Sequence, residues 1–218
     1  MLYNELITVF YENRDPLQAV PMAAYMKNQF PYLGLPKPKR TRLGKEFIKQ
    51  ARKQKTIDWD LVFSLWDLQE REFQYLAVDY LLSLHANLQK ADITHIESLL
   101  ISKSWWDTVD ILATNITGAL CAQKPELIQS HILKWAESDN IWLVRTSILF
   151  QLKYKAHTDT EVLGSVIIKN SSTREFFINK AIGWALREYS KTNKEWVQAF
   201  LANHTLHSLS MREASKHL

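Results

Sequence analysis

Residues 70–82 read EREFQYLAVDYLL, a stretch without proline or glycine that has the length and content of one helix. Three later stretches repeat the theme: 105–120, 140–154 (NIWLVRTSILFQLKY) and 174–189 (REFFINKAIGWALREY). Each is followed by a second helical stretch: near 92–102, over 126–137 after Pro125, from Glu161, and from Lys194. The strong helices recur at intervals of roughly 35 residues, the length of a helical-pair repeat. They align with Phe73, Trp106, Trp142 and Phe177 in one column and Leu76, Val109, Arg145 and Lys180 in another. No run of alternating polar and apolar residues marks a sheet. The expected fold is all-α, a HEAT-like solenoid of stacked helix pairs forming one domain over residues 1–218. Stacking sets equivalent helices side by side along one concave surface.

The N-terminal region reads as two helices. Tyr3, Leu6, Ile7 and Phe10 mark the first, which Asn13 to Pro16 break. The second carries Ala19, Val20, Ala23, Met26 and Phe30, with Pro21 expected in its first turn, where a missing donor costs little. From Pro31 to Arg42 three prolines and a glycine predict irregular chain. Its basic residues Lys37, Lys39, Arg40, Arg42 and Lys45 would make 31–45 a basic loop, either a phosphate contact or a solvated segment, with a localisation signal as a third, weaker reading.

Within the second repeat, SWWDTVD (104–110) sets a large aromatic beside a carboxylate. As helix, Trp106 and Asp110 share one face, while Trp105, Val109, Leu112 and Ile116 have the spacing of the buried face. A core aromatic with a surface acid is the ordinary explanation. Arg145 and Trp184 lie on the equivalent helices of later repeats, so the four are expected on one strip. Arg145 among apolar neighbours is open to a structural pairing, with Asp110 a candidate partner.

Composition narrows the classes. At 218 residues, 46% hydrophobic and 23% charged, the chain suits an ordinary globular protein. No apolar run reaches membrane-spanning length and no signal peptide is recognisable. The single cysteine, Cys121, provides no disulfide framework and reads as a buried thiol in a reducing cytoplasm. His85, His95, His131, His157, His204, His207 and His217 show no ligand spacing with acids or cysteine, so no metal is expected; His204 and His207 read as a solvated helix face. The net charge of +4 permits a polyanionic partner without requiring one.

SWWDTVD, 142–154 (WLVRTSILFQLKY), 180–190 (KAIGWALREYS) and, at the N-terminus, 22–31 (MAAYMKNQFP) together resemble the alkylpurine DNA glycosylases of the AlkD family, over about residues 20–200. The resemblance implies a HEAT-like solenoid with a concave DNA-binding face. It also implies hydrolysis of the N-glycosidic bond of cationic N3- and N7-alkylated purines such as 3-methyladenine and 7-methylguanine in duplex DNA. No metal or organic cofactor, no membrane, and a monomeric state are expected. By that resemblance Asp110 is the catalytic carboxylate, Trp106 and Trp184 contact the sugar, Arg145 binds a phosphate beside the lesion and Tyr25 contacts DNA. Lys37, Lys39 and Arg40 are the basic candidates for the same partner. Two other classes stay open: a non-catalytic DNA-structure-binding protein on the same scaffold, and a protein–protein scaffold.

Overall fold

The structure is a computed structural model that describes residues 3–218. Every regular element among those residues is helical. The residues group into two compact units, one ending at Leu88 and the other spanning Gln89–Leu218.

The first unit holds α1 (Tyr3–Glu12), α2 (Pro16–Tyr25), α3 (Lys37–Ala51), α4 (Trp59–Asp67) and α5 (Arg71–Leu84). Leu6 and Phe10 of α1 are buried, with Phe10 stacked on Phe73 of α5 at 5.6 Å between ring centroids. Asp15 caps α2 by accepting from the Leu17 and Gln18 amides. This cap starts the helix at Pro16, earlier than expected, so Pro21 falls inside α2 and not in its first turn. Leu17, whose carbonyl thereby loses its helical donor, is 86% exposed, and water can take the donor's place.

The expected basic loop over 31–45 is corrected: only 31–36 is irregular, and α3 begins at Lys37. Pro36 is the N-cap and Pro38 lies in the first turn, where amides have no helical acceptor and proline is tolerated. The irregular segment is held by the buried carboxylate of Glu72, which accepts from the amides of Leu33 (2.9 Å), Gly34 (2.9 Å) and Leu35 (3.0 Å). Gly34 has φ +82°, and a Cβ there would meet the Asp15 carbonyl oxygen at 2.0 Å, so only glycine fits.

The second unit contains α6 (Ile93–Ile101), α7 (Trp106–Ile111), α8 (Gly118–Gln123), α9 (Leu133–Trp135), α10 (Ile141–Leu149), α11 (Thr160–Lys169), α12 (Phe176–Ser190), α13 (Lys194–Asn203) and α14 (Ser208–Ala214). Two of its helical stretches are interrupted by π turns, Leu112–Thr117 between α7 and α8, and Ile128–Ile132 before α9. The core joins Val144, Ile148, Ile167, Ile182, Leu186 and Val197. His204 and His207 lie in the connection between α13 and α14 and not on a helix face, His204 half-buried and His207 exposed. His204 stacks on Phe200 at 4.4 Å, and the His207 Nδ1 accepts from Leu209 N–H to cap α14.

Helices α5, α7, α10 and α12 begin at residues 71, 106, 141 and 176, a repeat of 35 throughout. That register revises the columns. Asp110, and not Val109, is the repeat equivalent of Arg145 and Lys180; in α5 the same position falls on Tyr75. The position shared by Trp142 and Phe177 falls on Glu72 and Asp107, so neither Trp105 nor Trp106 is in that column by register, but Trp105 packs against both aromatics. It lies 5.7 Å from Trp142 and 5.1 Å from Phe177, which are 4.9 Å from each other. Trp105 is the extended N-cap of α7 (φ −157°, ψ 159°) and is half-buried, so it stands before the buried stripe that Val109, Leu112 and Ile116 form at 0% exposure.

Helix α14 packs against α12 at Gly183. A Cβ on Gly183 would lie 2.4 Å from the Glu213 Cβ and 3.0 Å from the Ser210 carbonyl oxygen, neither of which can yield without moving α14. We expect Gly183→Ala to cost about 1–3 kcal/mol, read as a thermal midpoint lowered by roughly 2–4 °C per kcal/mol. An unchanged midpoint would show that α14 shifts freely.

The same contact carries a charge cluster. The Glu213 carboxylate, 6% exposed, accepts from Lys216 (2.8 Å) and Arg187 (2.9 Å) and pairs with Lys180 at 3.1 Å. The Lys216 hydrogen bond, with Lys180 adding to it, holds the carboxyl down at about 2. A lowered folded value means that the unfolded chain takes up the proton first as pH falls. The stabilisation is complete above the ordinary glutamate range and is lost between there and about pH 2. Thermal melts from pH 5 to 2.5 should show a steeper loss for the wild type than for Glu213→Gln; parallel curves would remove Glu213 from the acid response.

Candidate active site

Asp110 closes the last turn of α7, one turn after Trp106, so the expected shared face is present. Asp107 in the first turn is buried and its carboxylate accepts from the Thr108 amide at 3.0 Å, a favourable place for an acid near a helix N-terminus. Beyond Ile111 the helix widens into the π turn. There the Thr114 hydroxyl donates to the Asp110 carbonyl at 2.7 Å. The Asn115 amide donates to the Ile111 carbonyl at 3.2 Å and to the Thr114 hydroxyl at 2.9 Å. Side-chain donors thus reach two of the carbonyls of the widened turn, a type of irregularity common at functional sites.

The α10 helix is capped by Asn140, whose Oδ1 accepts from the Trp142 and Leu143 amides, and it is buried from Leu143 to Leu149. Arg145 sits in its middle at 5% exposure. Its Nε donates to Asp110 Oδ1 at 2.6 Å, its Nη2 to Asp110 Oδ2 at 2.9 Å, and its Nη1 to the Phe177 carbonyl on α12. Three of five N–H donors are therefore spent on holding α7 and α12 to α10. The fork-to-fork geometry fixes both carboxylate oxygens. Burial pushes the Asp110 carboxyl above its ordinary value; the Arg145 hydrogen bond and charge pull it back, and Asp107 pushes it up again.

Gly118, the first residue of α8, passes close to the end of α10. A Cβ there would lie 2.4 Å from the Phe150 carbonyl oxygen, and the Tyr154 hydroxyl donates to the Gly118 carbonyl at 2.6 Å. Gly118 and Gly183 each interrupt an otherwise helical run, which in a sequence is a signal of close packing. The Phe177 carbonyl has no sequence signal at all. Trp184 lies on α12 one turn beyond Lys180, half-buried against the core of the second unit.

The remaining candidates belong to the first unit. Tyr25 ends α2 and is 70% exposed. Lys37 is exposed at the start of α3. Lys39 donates its ammonium to the Asn13 carbonyl at 2.6 Å. Arg40 is buried, 4.5 Å over the Tyr75 ring and 3.6 Å from the Asp79 carboxylate. Lys39 and Arg40 are thus engaged within their own unit, whereas Lys37 faces solvent. Among the described residues no group of three or more His, Cys, Asp or Glu is placed to hold a metal ion, and no helix is long and apolar enough to cross a membrane. Cys121 is buried, its thiol pushed up to about 12 by burial, which makes it a poor nucleophile.

A stack of helix pairs with a desolvated carboxylate–guanidinium pair and two tryptophans on its repeat helices defines an all-α repeat protein with one candidate reactive site. Residues 6–218 match the family described as DNA alkylation repair enzyme, and the chain belongs to that family. A structure described as a predicted DNA alkylation repair enzyme from Enterococcus faecalis is 33% identical and superposes with a TM-score of 0.88, over 94% of this chain and 96% of that one. Two Streptococcus mutans structures share the fold at 19% identity. AlkD2 has a TM-score of 0.62, covering 84% of this chain and 98% of its own. The protein smu.31 has 0.61, with 82% and 97% covered. No curated protein matches the sequence.

Proposed function

We propose that the protein is a DNA glycosylase that releases cationic N3- and N7-alkylated purines from duplex DNA in base excision repair. The observation that carries the reading is the Asp110 carboxylate, largely desolvated and fixed through both oxygens by Arg145. Alkylation at N3 or N7 gives the purine a positive charge. When the N-glycosidic bond breaks, its electron pair neutralises the base, so little acid catalysis is needed and no metal is called for. Positive charge develops on the deoxyribose instead. The Asp110 carboxylate stabilises that charge and orients the water whose oxygen bonds to C1′, the water proton passing to the carboxylate or solvent. The indole faces of Trp106 and Trp184 present negative quadrupoles to the sugar, about 0.5–2 kcal/mol each.

Arg145 orients the carboxylate and, through its two remaining N–H donors, contacts a phosphate. Tyr25 and Lys37 are the contacts offered by the first unit, and Lys39 and Arg40 add positive charge behind them. With recognition resting on sugar and backbone, the base stays unflipped and bulky alkyl groups are tolerated. We take the protein to act as a monomer in the cytoplasm, a setting that suits a lone buried cysteine. The test is incubation with methylated duplex DNA and chromatography of released 3-methyladenine and 7-methylguanine. Release by the wild type supports the reading. If no base is released while duplex DNA is still bound, the protein is a non-catalytic DNA-binding member of the family and the ion pair is structural.

A further inference from the structure

The net positive charge of this chain is concentrated in one segment. Residues 37–55 contain nine Lys and Arg against one acid, Glu46, a net +8; the whole chain carries +4, so the remainder is net −4. Helix α3 accounts for most of the segment, and its side chains divide by role. Lys39 is tied to the Asn13 carbonyl and Arg40 is buried against Tyr75. Lys37, Lys45, Lys49 and Arg52 are exposed. Among them only Lys49 has an acidic partner, Glu46 at 3.6 Å, an exposed pair of small consequence.

The four exposed cations line one groove of about 540 Å³ between α3 and α5 within the first unit, floored by Gly44 and Leu76 and containing a single acid, Asp79. Lys37 to Arg52 spans about 22 Å along the helix. A DNA strand presents one phosphate per roughly 3.4 Å of duplex axis, about six over that length.

We propose that the exposed face of α3, formed by Lys37, Lys45, Lys49 and Arg52, is the sequence-independent phosphate grip of the protein and holds consecutive phosphodiesters of one DNA strand. The inference rests on the reading of DNA as the partner. It assigns the electrostatic part of binding to cations other than Lys39, whose ammonium is tied to the Asn13 carbonyl, and Arg40, which is buried against Tyr75. Like-charged side chains along one helix repel one another, a cost that a neighbouring polyanion removes. The contact uses no base edge, so it is equal on damaged and undamaged duplex.

The test uses the full-length protein and an undamaged duplex of arbitrary sequence, with the dissociation constant measured from 50 to 200 mM salt. Each phosphate contact contributes about 0.9 to the slope of log affinity against log salt. Lys45→Ala, Lys49→Ala and Arg52→Ala combined should flatten the slope by about 2.7, so that the wild type loses about 40-fold more affinity across that range than the variant. Alanine favours helix, and circular dichroism checks that α3 persists. The charge-keeping set Lys45→Arg, Lys49→Arg and Arg52→Lys should hold the wild-type slope. A triple alanine variant with the wild-type slope overturns the proposal, as does a flattened slope in the charge-keeping set. Because the duplex is undamaged, failure of base release in the glycosylase assay leaves this result untouched, and the reverse also holds.

Discussion

Asp110→Asn should slow release of 3-methyladenine and 7-methylguanine by at least about tenfold, equivalent to about 1.4 kcal/mol of transition-state stabilisation. The substitution keeps the size of the side chain and one acceptor oxygen, and removes the charge that opposes the developing sugar cation. That charge acts in a desolvated setting, with 16% of the Asp110 side chain and 6% of that of Arg145 exposed, where an oriented carboxylate is worth more than in water. Binding of undamaged duplex should survive, since the carboxylate is no phosphate contact. Single-turnover assays measure both, and a variant that releases base at the wild-type rate would remove Asp110 from the chemistry. The wild type itself should lose activity in acid at a pH above the ordinary aspartate range, because burial raises this carboxyl and only its ionised form opposes the cation.

Arg145→Ala is expected to be the more damaging change. It leaves the Asp110 carboxylate buried without its partner, and removing one member of a buried pair costs about 3–5 kcal/mol. It also deletes the bond to the Phe177 carbonyl, which ties α10 to α12. A thermal midpoint lowered by on the order of 10 °C follows. The direction of the pH effect is fixed by the same geometry. Arg145 is what pulls the Asp110 carboxyl down against the effect of burial, so without it the acid limb of the activity profile moves to higher pH. Arg145→Lys keeps a charge but not the two-point fork, and should recover part of the stability and pH profile. If the two remaining donors of Arg145 reach a phosphate, the salt slope of Arg145→Ala flattens by about 0.9. A wild-type slope would assign the residue to the carboxylate alone.

Asp110 and Trp106 show how far local sequence reaches. Four residues apart in a helix, they share a face whatever the rest of the chain does, and the structure keeps them so. The packing of Trp105 against Trp142 and Phe177 has a different origin. It depends on where α7 starts, and helix starts are set by caps and neighbours and not by the side chains that follow. Pro38 illustrates the same point: its disruptive effect vanishes in a first turn, and nothing local says that the turn begins at Lys37. Gly118 and Gly183 were legible as oddities in helical runs, but what they admit, the Phe150 carbonyl and α14, lies in other helices.

The sequence by itself determined the all-α repeat, its period near 35 residues and the family it resembles, and it named the candidate residues, because helical periodicity and side-chain identity are properties of short stretches. Only the tertiary structure decided that Arg145 grips Asp110 through both oxygens, that Lys39 is tied to Asn13 and Arg40 buried against Tyr75, and that the exposed cations of α3 line one groove. Each of these depends on the register in which one helix meets the next. That register is set by close approaches at glycines and by buried hydrogen bonds between residues tens of positions apart, which no local pattern encodes.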